Sequence, residues 1–350
     1  MDLVPYGIRV VLEPTTNISA ILTKAISKSK IKKNAFGDYL EMQFSSGKYT
    51  IMKQLGQGSY GKTFLVLSED NESFVVKCID MEHLHRSAVL KECIIQILLY
   101  EESKERPSGP FVPRFYELAY CAKEKSMMLR SEAMDETLGS IVITNTQEEN
   151  DVFLPQAIMK IAKILQFFET KLAFNHRDLK TDNIMFQRLG DNRIRIKLID
   201  FGLSCLTWKG LRIEGEGGGL RTCFKQDRDL SQLMYELARY ETDRISDRLY
   251  NRFAHLLEAR IDPDHICNVL EDCMDHGLRD WKSSYGFFNR PNVHMLKADS
   301  KSVQEAMKTF LEPMSAGSNC GKMHMRNPKT RRCRKIPLPI SLLQTRKNVE

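Results

Sequence analysis

The sequence predicts an α+β fold in two lobes: a small antiparallel β-sheet lobe with one key helix, then a larger, mainly helical lobe. Three observations carry this prediction. β-Prone runs alternate with turn residues between Tyr49 and Arg130, and apolar residues at helical spacing dominate from Leu154 onward. A glycine-rich turn, Gly56-Gln57-Gly58-Ser59-Tyr60-Gly61, joins two of the β-prone runs rather than a strand and a helix, which disfavours a dinucleotide-binding parallel sheet. A chain of 350 residues, 42% hydrophobic and 28% charged, has the length of about two domains and the composition of a soluble globular protein.

The elements follow in order. The leader, residues 1–47, mixes short apolar runs with Lys24, Lys28, Lys30, Lys32 and Lys33. Within it Ile18–Ile31 has the spacing of a short amphipathic helix, lying on its own domain in preference to a membrane surface. The small lobe, residues 48–134, opens with strands over Tyr49–Leu55 and Lys62–Leu67, followed by Phe74-Val75-Val76-Lys77. A helix over Ser87–Leu99 comes next, with Ser87 as N-cap and apolar residues at Val89, Cys93, Ile97 and Leu98. Arg114–Tyr120 and Lys125–Arg130 alternate as a hairpin around Cys121-Ala122-Lys123-Glu124, completing a five-stranded sheet. The large lobe, residues 135–312, starts with a helix over Leu154–Leu172, with Pro155 suited to its first turn. Strands over Ile184–Gln187 and Ile194–Ile199 and helices over Asp227–Leu237, Asp243–Ala259, Asp264–His276 and Ser302–Leu311 complete it. Leu249, Phe253, Leu256 and Ile266 fall on apolar faces and read as packing.

Chemistry concentrates in two stretches. His176-Arg177-Asp178-Leu179-Lys180-Thr181-Asp182-Asn183 is followed, about twenty residues later, by Asp200-Phe201-Gly202. Together they supply a carboxylate that can accept a hydroxyl proton, an ammonium, and an amide oxygen and second carboxylate for a metal. Singly, each has an ordinary alternative: His176 as a core histidine, Arg177 as a surface cation, Asp178, Asn183 and Asp200 as turn caps, Glu92 as a solvated helix charge. The glycine turn alone would be a hairpin. Their joint order is what chance does not readily supply.

In that order these segments resemble the eukaryotic-type protein kinases, over about Lys48 to Leu237. The resemblance implies a bilobal protein-kinase-like fold that uses ATP and Mg2+ to phosphorylate a protein substrate. Gly56, Gln57, Gly58, Ser59, Tyr60 and Gly61 would cover the phosphates, with Thr63 and Val75 along the adenine slot, and Lys77 would contact the phosphates while paired with Glu92. Ser131-Glu132-Ala133-Met134 falls at the adenine hinge, where Glu132 and Met134 would act through backbone groups. Asp178 would take the hydroxyl proton, Lys180 would neutralise charge on the transferring group, and Asn183 and Asp200 would hold Mg2+. Lys180 is the residue that serine/threonine-directed members carry in this place.

The departures from the family pattern are specific. Thr63 stands where valine is usual, Val75 where alanine is usual, and Gln96 where the helix normally has an apolar residue, which could shift its register. No Ala-Pro-Glu follows Gly202; instead there is an acidic glycine turn, Glu214-Gly215-Glu216-Gly217-Gly218-Gly219. Arg177 invites a phosphate on this segment, with Ser204, Thr207 and Thr222 as candidates. Two rival readings remain: a nucleotide-binding pseudokinase or virion scaffold, and a small-molecule kinase of related fold.

The tail, residues 315–350, is strongly basic. Its segment 320–335 resembles the two-cysteine adaptor segment of large DNA viruses of the iridovirus and ascovirus type, on Cys320, Asn327-Pro328-Lys329-Thr330, Arg332 and Cys333. The resemblance implies a viral protein, with viral or host protein or nucleic acid as partners of the tail. A basic tail binding nucleic acid, or serving as a nuclear address, is the simpler alternative. No apolar run approaches a membrane span and no secretory signal is visible, so the expected location is the host cytoplasm or nucleus, or the virion. Nine cysteines, an odd number and mostly isolated, suggest reduced thiols.

Overall fold

The computed structural model describes residues 27–58, 61–82, 84–189, 193–214, 224, 226–240, 242–258, 299–312, 324–326 and 333–335. The chain divides into two compact units. One takes the chain through Glu136, then Phe168–Asp178 and Asn183–Phe224; the other takes Thr137–Phe167, Leu179–Asp182 and the chain from Lys225. The class is α+β, as expected, with a sheet-rich amino-terminal part and helices later.

The first unit is built on β1 (Ser27–Lys28), β2 (Lys30–Lys33), β3 (Tyr39–Phe44), β4 (Gly47–Gly58), β5 (Gly61–Ser68), β6 (Ser73–Asp80), β7 (Phe115–Cys121) and β8 (Ser126–Glu132). They form one eight-stranded sheet in the order β1-β7-β8-β6-β5-β4-β3-β2, not the five strands expected. The additional strands come from the leader, where strand rather than helix occupies the described part of Ile18–Ile31; residues 18–26 of that expectation lie outside the described residues. β1 and β2 stand at opposite edges of the sheet yet are separated only by Ser29, whose amide donates to Tyr120 O at 2.9 Å. One continuous extended run, residues 27–33, therefore supplies both end strands and links the two ends of the sheet.

The sheet carries a core of Ile31, Met42, Phe44, Tyr49, Phe64, Val66, Phe74, Val76, Cys78, Ala119, Cys121 and Met128. Arg130 is buried in this core among the rings of Phe44, Tyr49, Phe74 and Tyr116, with its guanidinium carbon 4.8 to 5.9 Å from their centres. Its charge is met by Glu117, 3.7 Å away. Glu117 in turn accepts hydrogen bonds from Ser27 Oγ, Ser46 Oγ and the amide of Ser45, so the leader is tied to β7 by a charged network.

Helix α1 (Arg86–Ser103) is buried on nearly every side, including Val89, Leu90, Ile94, Ile97 and Leu98, and meets β7 and β8. Its N-cap is His85, without a side-chain bond, rather than Ser87. Gln96 is buried but satisfied, donating to Pro113 O at 3.0 Å, so the unusual residue neither unwinds nor shifts the helix. After β9 (Glu136–Thr137), α2 (Leu138–Thr144) and α3 (Gln147–Leu172), the hairpins β10 (Ile184–Leu189)–β11 (Arg193–Leu198) and β12 (Cys205–Trp208)–β13 (Leu211–Glu214) follow.

Helix α3 begins about two turns earlier than expected because Thr146 and Glu149 cap it reciprocally. Each backbone amide donates to the other's side chain, at 2.9 and 3.2 Å. Pro155 consequently lies inside the helix rather than in its first turn. In the second unit α4 (Arg228–Tyr240), α5 (Asp247–Glu258) and α6 (Ser300–Leu311) bury Leu233, Leu237, Leu249, Phe253, Leu256, Met307 and Phe310. The helix expected from Asp243 starts at Asp247 after a 3₁₀ turn, Thr242–Arg244; the helix expected over Asp264–His276, with Ile266, lies outside the described residues. In the tail, β14 (His324–Arg326) pairs antiparallel with β15 (Cys333–Lys335). Cys78, Cys93 and Cys121 are free and buried, but Cys205 is disulfide-bonded, which corrects the expectation of reduced thiols throughout. Among the described residues no helix is long and apolar enough to cross a membrane.

Candidate active site

The site grows from β6 and α1. Lys77 faces Glu92 because its strand lies between β5 and β8, with Thr63 and Leu129 as its cross-strand neighbours, while Glu92 projects from the second turn of α1. The ammonium donates to Glu92 Oε1 at 2.8 Å and to Asp200 Oδ1 at 2.7 Å. Burial opposes the charged form of Lys77, but the Asp200 and Glu92 carboxylates outweigh it and hold the ammonium well above the usual lysine range. Burial pushes Glu92 upward, Lys77 pulls it down, and the charge on Asp200 pushes it up again; the net direction is upward. Three side chains widely separated in sequence thus form one charged cluster.

Asp200 is delivered by the β10–β11 hairpin. Ile184 pairs with Leu198, and Ile199 N donates to Asn183 O at 3.0 Å, so Asn183 and Asp200 leave the same end of the ladder. Asn183 is buried, and its amide nitrogen donates to Asp178 O at 2.7 Å and Asp178 Oδ2 at 3.2 Å. That orientation fixes the Asp178 carboxylate and directs the Asn183 oxygen the other way. His176, fully buried, meets Ile199 O through Nε2 at 2.8 Å and packs its ring 5.5 Å from Phe201. Arg177 and Asp200 both adopt left-handed backbone, with φ of 69° and 65°, an unfavourable conformation for residues with a Cβ that the surrounding bonds hold in place.

The glycines divide into two kinds. A Cβ on Gly61 would sit 1.9 Å from Cys78 O, so the β5–β6 ladder itself requires glycine there. Among the described residues a Cβ on Gly56 or Gly58 would meet nothing within 4 Å, so the packing of those residues does not explain either one. Gln57 is exposed on β4, while Thr63 and Val75 are half-buried on β5 and β6; Ser59 and Tyr60 lie outside the described residues. Lys180 is half-buried and belongs to the segment Leu179–Asp182 of the second unit.

Glu132, expected to act through its backbone, has a bonded carboxylate. Its carboxylate accepts two bonds of 2.6 Å from Lys197 and one of 2.7 Å from Gln187, and its amide donates to Arg114 O. Burial opposes its ionisation, yet the Arg114 amide and the Lys197 ammonium hold its pKa below the ordinary range. Met134 follows it and is half-buried. Lys197 has no exposed surface, and its position in the strand-like run Arg193–Leu198 gave no sequence signal that it would be an interior cation.

Arg177, also without exposed surface, is paired with Glu214 at 2.7 Å; Ser204, one of the expected phosphate acceptors, is buried with its hydroxyl donating to His176 O. Thr207 lies in β12, and Thr222 is outside the described residues. The carboxylate partner of Arg177 was not foreseen, although Glu214 opens the acidic turn noted in the sequence.

Residues 49–214 match the family model for the protein kinase domain. Curated relatives include the probable serine/threonine-protein kinase MARK-A of Dictyostelium discoideum, 30% identical over 175 residues, covering 47% of this chain and 15% of that protein. CBL-interacting serine/threonine-protein kinase 1 of Arabidopsis thaliana is 27% identical over 164 residues, covering 46% and 34%. Ribosomal protein S6 kinase alpha-2 of Homo sapiens is 30% identical over 173 residues, covering 45% and 20%. The matched stretch thus spans about a third or less of these relatives' own lengths. The α+β fold class and the family match agree over residues 49–214, just under half of the chain.

Proposed function

We propose that the chain is a serine/threonine protein kinase that transfers the γ-phosphoryl group of ATP to protein hydroxyls with Mg2+. The observation that carries this reading is Lys77 held between Glu92 and Asp200, at 2.8 and 2.7 Å, beside an Asn183 that orients Asp178. The domain match and the serine/threonine kinase relatives support a protein kinase transferase; Lys180 supports the choice of hydroxyl.

The residues fit the groups the reading requires. Gly56 and Gly58 leave open space beside β4 into which phosphates could come close to backbone amides. Among the described residues no group of three or more His, Cys, Asp or Glu could hold a metal by itself. Asn183 and Asp200 offer two hard oxygen donors, a donor set suited to Mg2+, which keeps waters and phosphate oxygens in the rest of its shell. ATP supplies the phosphoryl group, and Mg2+ offsets the charge of its oxygens. Asp178 accepts the hydroxyl proton, Lys180 offsets negative charge on the group in transit, and Lys77, fixed by Glu92, addresses the phosphates. The test is incorporation of labelled phosphate into a protein acceptor. Wild type should label serine or threonine, and Asp178→Ala should lower the rate by about a hundredfold or more. Equal labelling by both would sink the reading, and ATP binding without labelling would favour the pseudokinase.

For the tail we propose a role in a protein of a large DNA virus, acting in the host cytoplasm or nucleus or in the virion, on the likeness carried by Cys320, Asn327-Pro328-Lys329-Thr330, Arg332 and Cys333. If the tail binds nucleic acid through its cations, its removal should abolish DNA retention at low salt. Unchanged retention leaves protein partners as the reading.

A further inference from the structure

The geometry points to Glu214 as a built-in carboxylate that does what a phosphate on this segment would otherwise do. We propose that it holds Arg177, and with it the loop carrying Asp178, in working position without any covalent modification. This rests on the kinase reading above.

The argument starts from Arg177. A guanidinium with no exposed surface has lost its hydration and must find a fixed anion, since an unpaired buried charge is strongly destabilising. It finds Glu214 Oε1 at 2.7 Å, while the other oxygen of the same carboxylate accepts from Arg212 at 2.7 Å. Sequence explains why this carboxylate arrives there. Asn175 and Cys205 form an isolated antiparallel bridge, with Asn175 N donating to Cys205 O and Cys205 N to Asn175 O, each at 2.9 Å. Cys205 is paired on its other side with Glu214 in the β12–β13 register. The catalytic loop, β12 and β13 are therefore laced side by side. Ser204 tightens the lacing by donating to His176 O at 3.0 Å.

The connection extends to the ATP-facing cluster. β13 also meets α1, the helix that carries Glu92. A switchable phosphate carries about −1.5 to −2 charge and can be removed. Glu214 supplies one permanent charge at the end of a strand that is already in register. The hydroxyl at Ser204, a candidate for modification by its place in sequence, is consumed inside this structure.

The experiment uses the full-length chain, dephosphorylated and verified by mass spectrometry, and reads two quantities: backbone hydrogen exchange over 174–183 and 204–214, and phosphotransfer. Unmodified wild type should protect both stretches, and its kcat should stay within about twofold of protein not treated with phosphatase. Glu214→Gln should raise exchange in both stretches about tenfold or more and lower kcat by a similar factor, with the KM for ATP little changed. Glu214→Asp should recover part of the loss. Arg212→Ala removes only the exposed partner of Glu214 and should leave both readouts within about twofold. Unaltered exchange in Glu214→Gln, a collapse of wild-type kcat on dephosphorylation, or an Arg212→Ala defect as large as that of Glu214→Gln would each overturn the proposal. Catalytic silence of wild type toward every acceptor would count against the kinase reading alone, because the exchange measurement still decides the role of Glu214.

Discussion

At the scale of single residues, the site is an arrangement of charges that no single one could maintain alone. Glu92 is buried, and Lys77 pulls its carboxyl pKa down against burial and the charge on Asp200, which together leave it raised. Lys77→Met should therefore lower phosphotransfer about a hundredfold or more and also leave a buried carboxyl that prefers its proton. Sign follows from linkage. A glutamate whose folded pKa is raised binds more protons in the folded state, so its contribution to stability is present at low pH and lost as pH rises through the raised value. The methionine variant should thus lose stability on going from about pH 5 to pH 8 more steeply than wild type, as measured by urea unfolding. Parallel pH profiles would mean that Lys77 does not hold Glu92. Lys77, Glu92, Asp178, Asn183 and Asp200 were all legible from order and spacing. Glu214, Lys197 and the second use of Glu132 were not, because an ion pair between two side chains far apart in sequence leaves no local pattern.

Elements explain why the glycine turn was only half readable. Gly56, Gly58 and Gly61 look alike in sequence, but their reasons differ: one is demanded by a carbonyl 1.9 Å from where a Cβ would stand, and two are not demanded by any described residue. Gly61→Ala should destabilise by about 1–3 kcal/mol, whereas Gly58→Ala should leave the melting temperature nearly unchanged and weaken nucleotide binding. Thermal melts with a nucleotide titration on the two variants separate these outcomes, and a reversed pattern would mean that Gly58 serves the strand. Strand existence was legible from alternation, but strand number was not. β1 and β2 are short and lysine-rich, with only Ile31 inside, so they lack the apolar alternation that marks a strand. The early start of α3 was hidden for a different reason: Pro155 drew the boundary toward itself, while the capping pair Thr146 and Glu149 actually sets it.

At the scale of the whole molecule, the leader is part of the fold of the first unit. Residues 27–44 supply both end strands of the sheet and place Met42 and Phe44 in its core, so Phe44→Ala should cost about 3–5 kcal/mol although Phe44 lies in the leader, outside the catalytic motifs. The leader also brings an acid sensitivity. Burial of Glu117 is outweighed by hydrogen bonds from Ser45, Ser46 and Ser27, which hold its pKa below the ordinary range. A lowered pKa gives stability that is present above the usual carboxylate value and lost as pH falls through the folded one, so Glu117→Gln should flatten the loss of stability below about pH 4.5. An unchanged acid limb would show that this network does not tie the leader down. The central claim is that Lys77, Asn183 and Asp200 converge on one magnesium nucleotide. It is tested most directly by calorimetric titration of ATP into wild type and Asp200→Asn, each with and without Mg2+. Wild type should bind about tenfold or more tightly with the metal and the variant should lose that dependence; affinity indifferent to both Mg2+ and Asp200 would contradict the account.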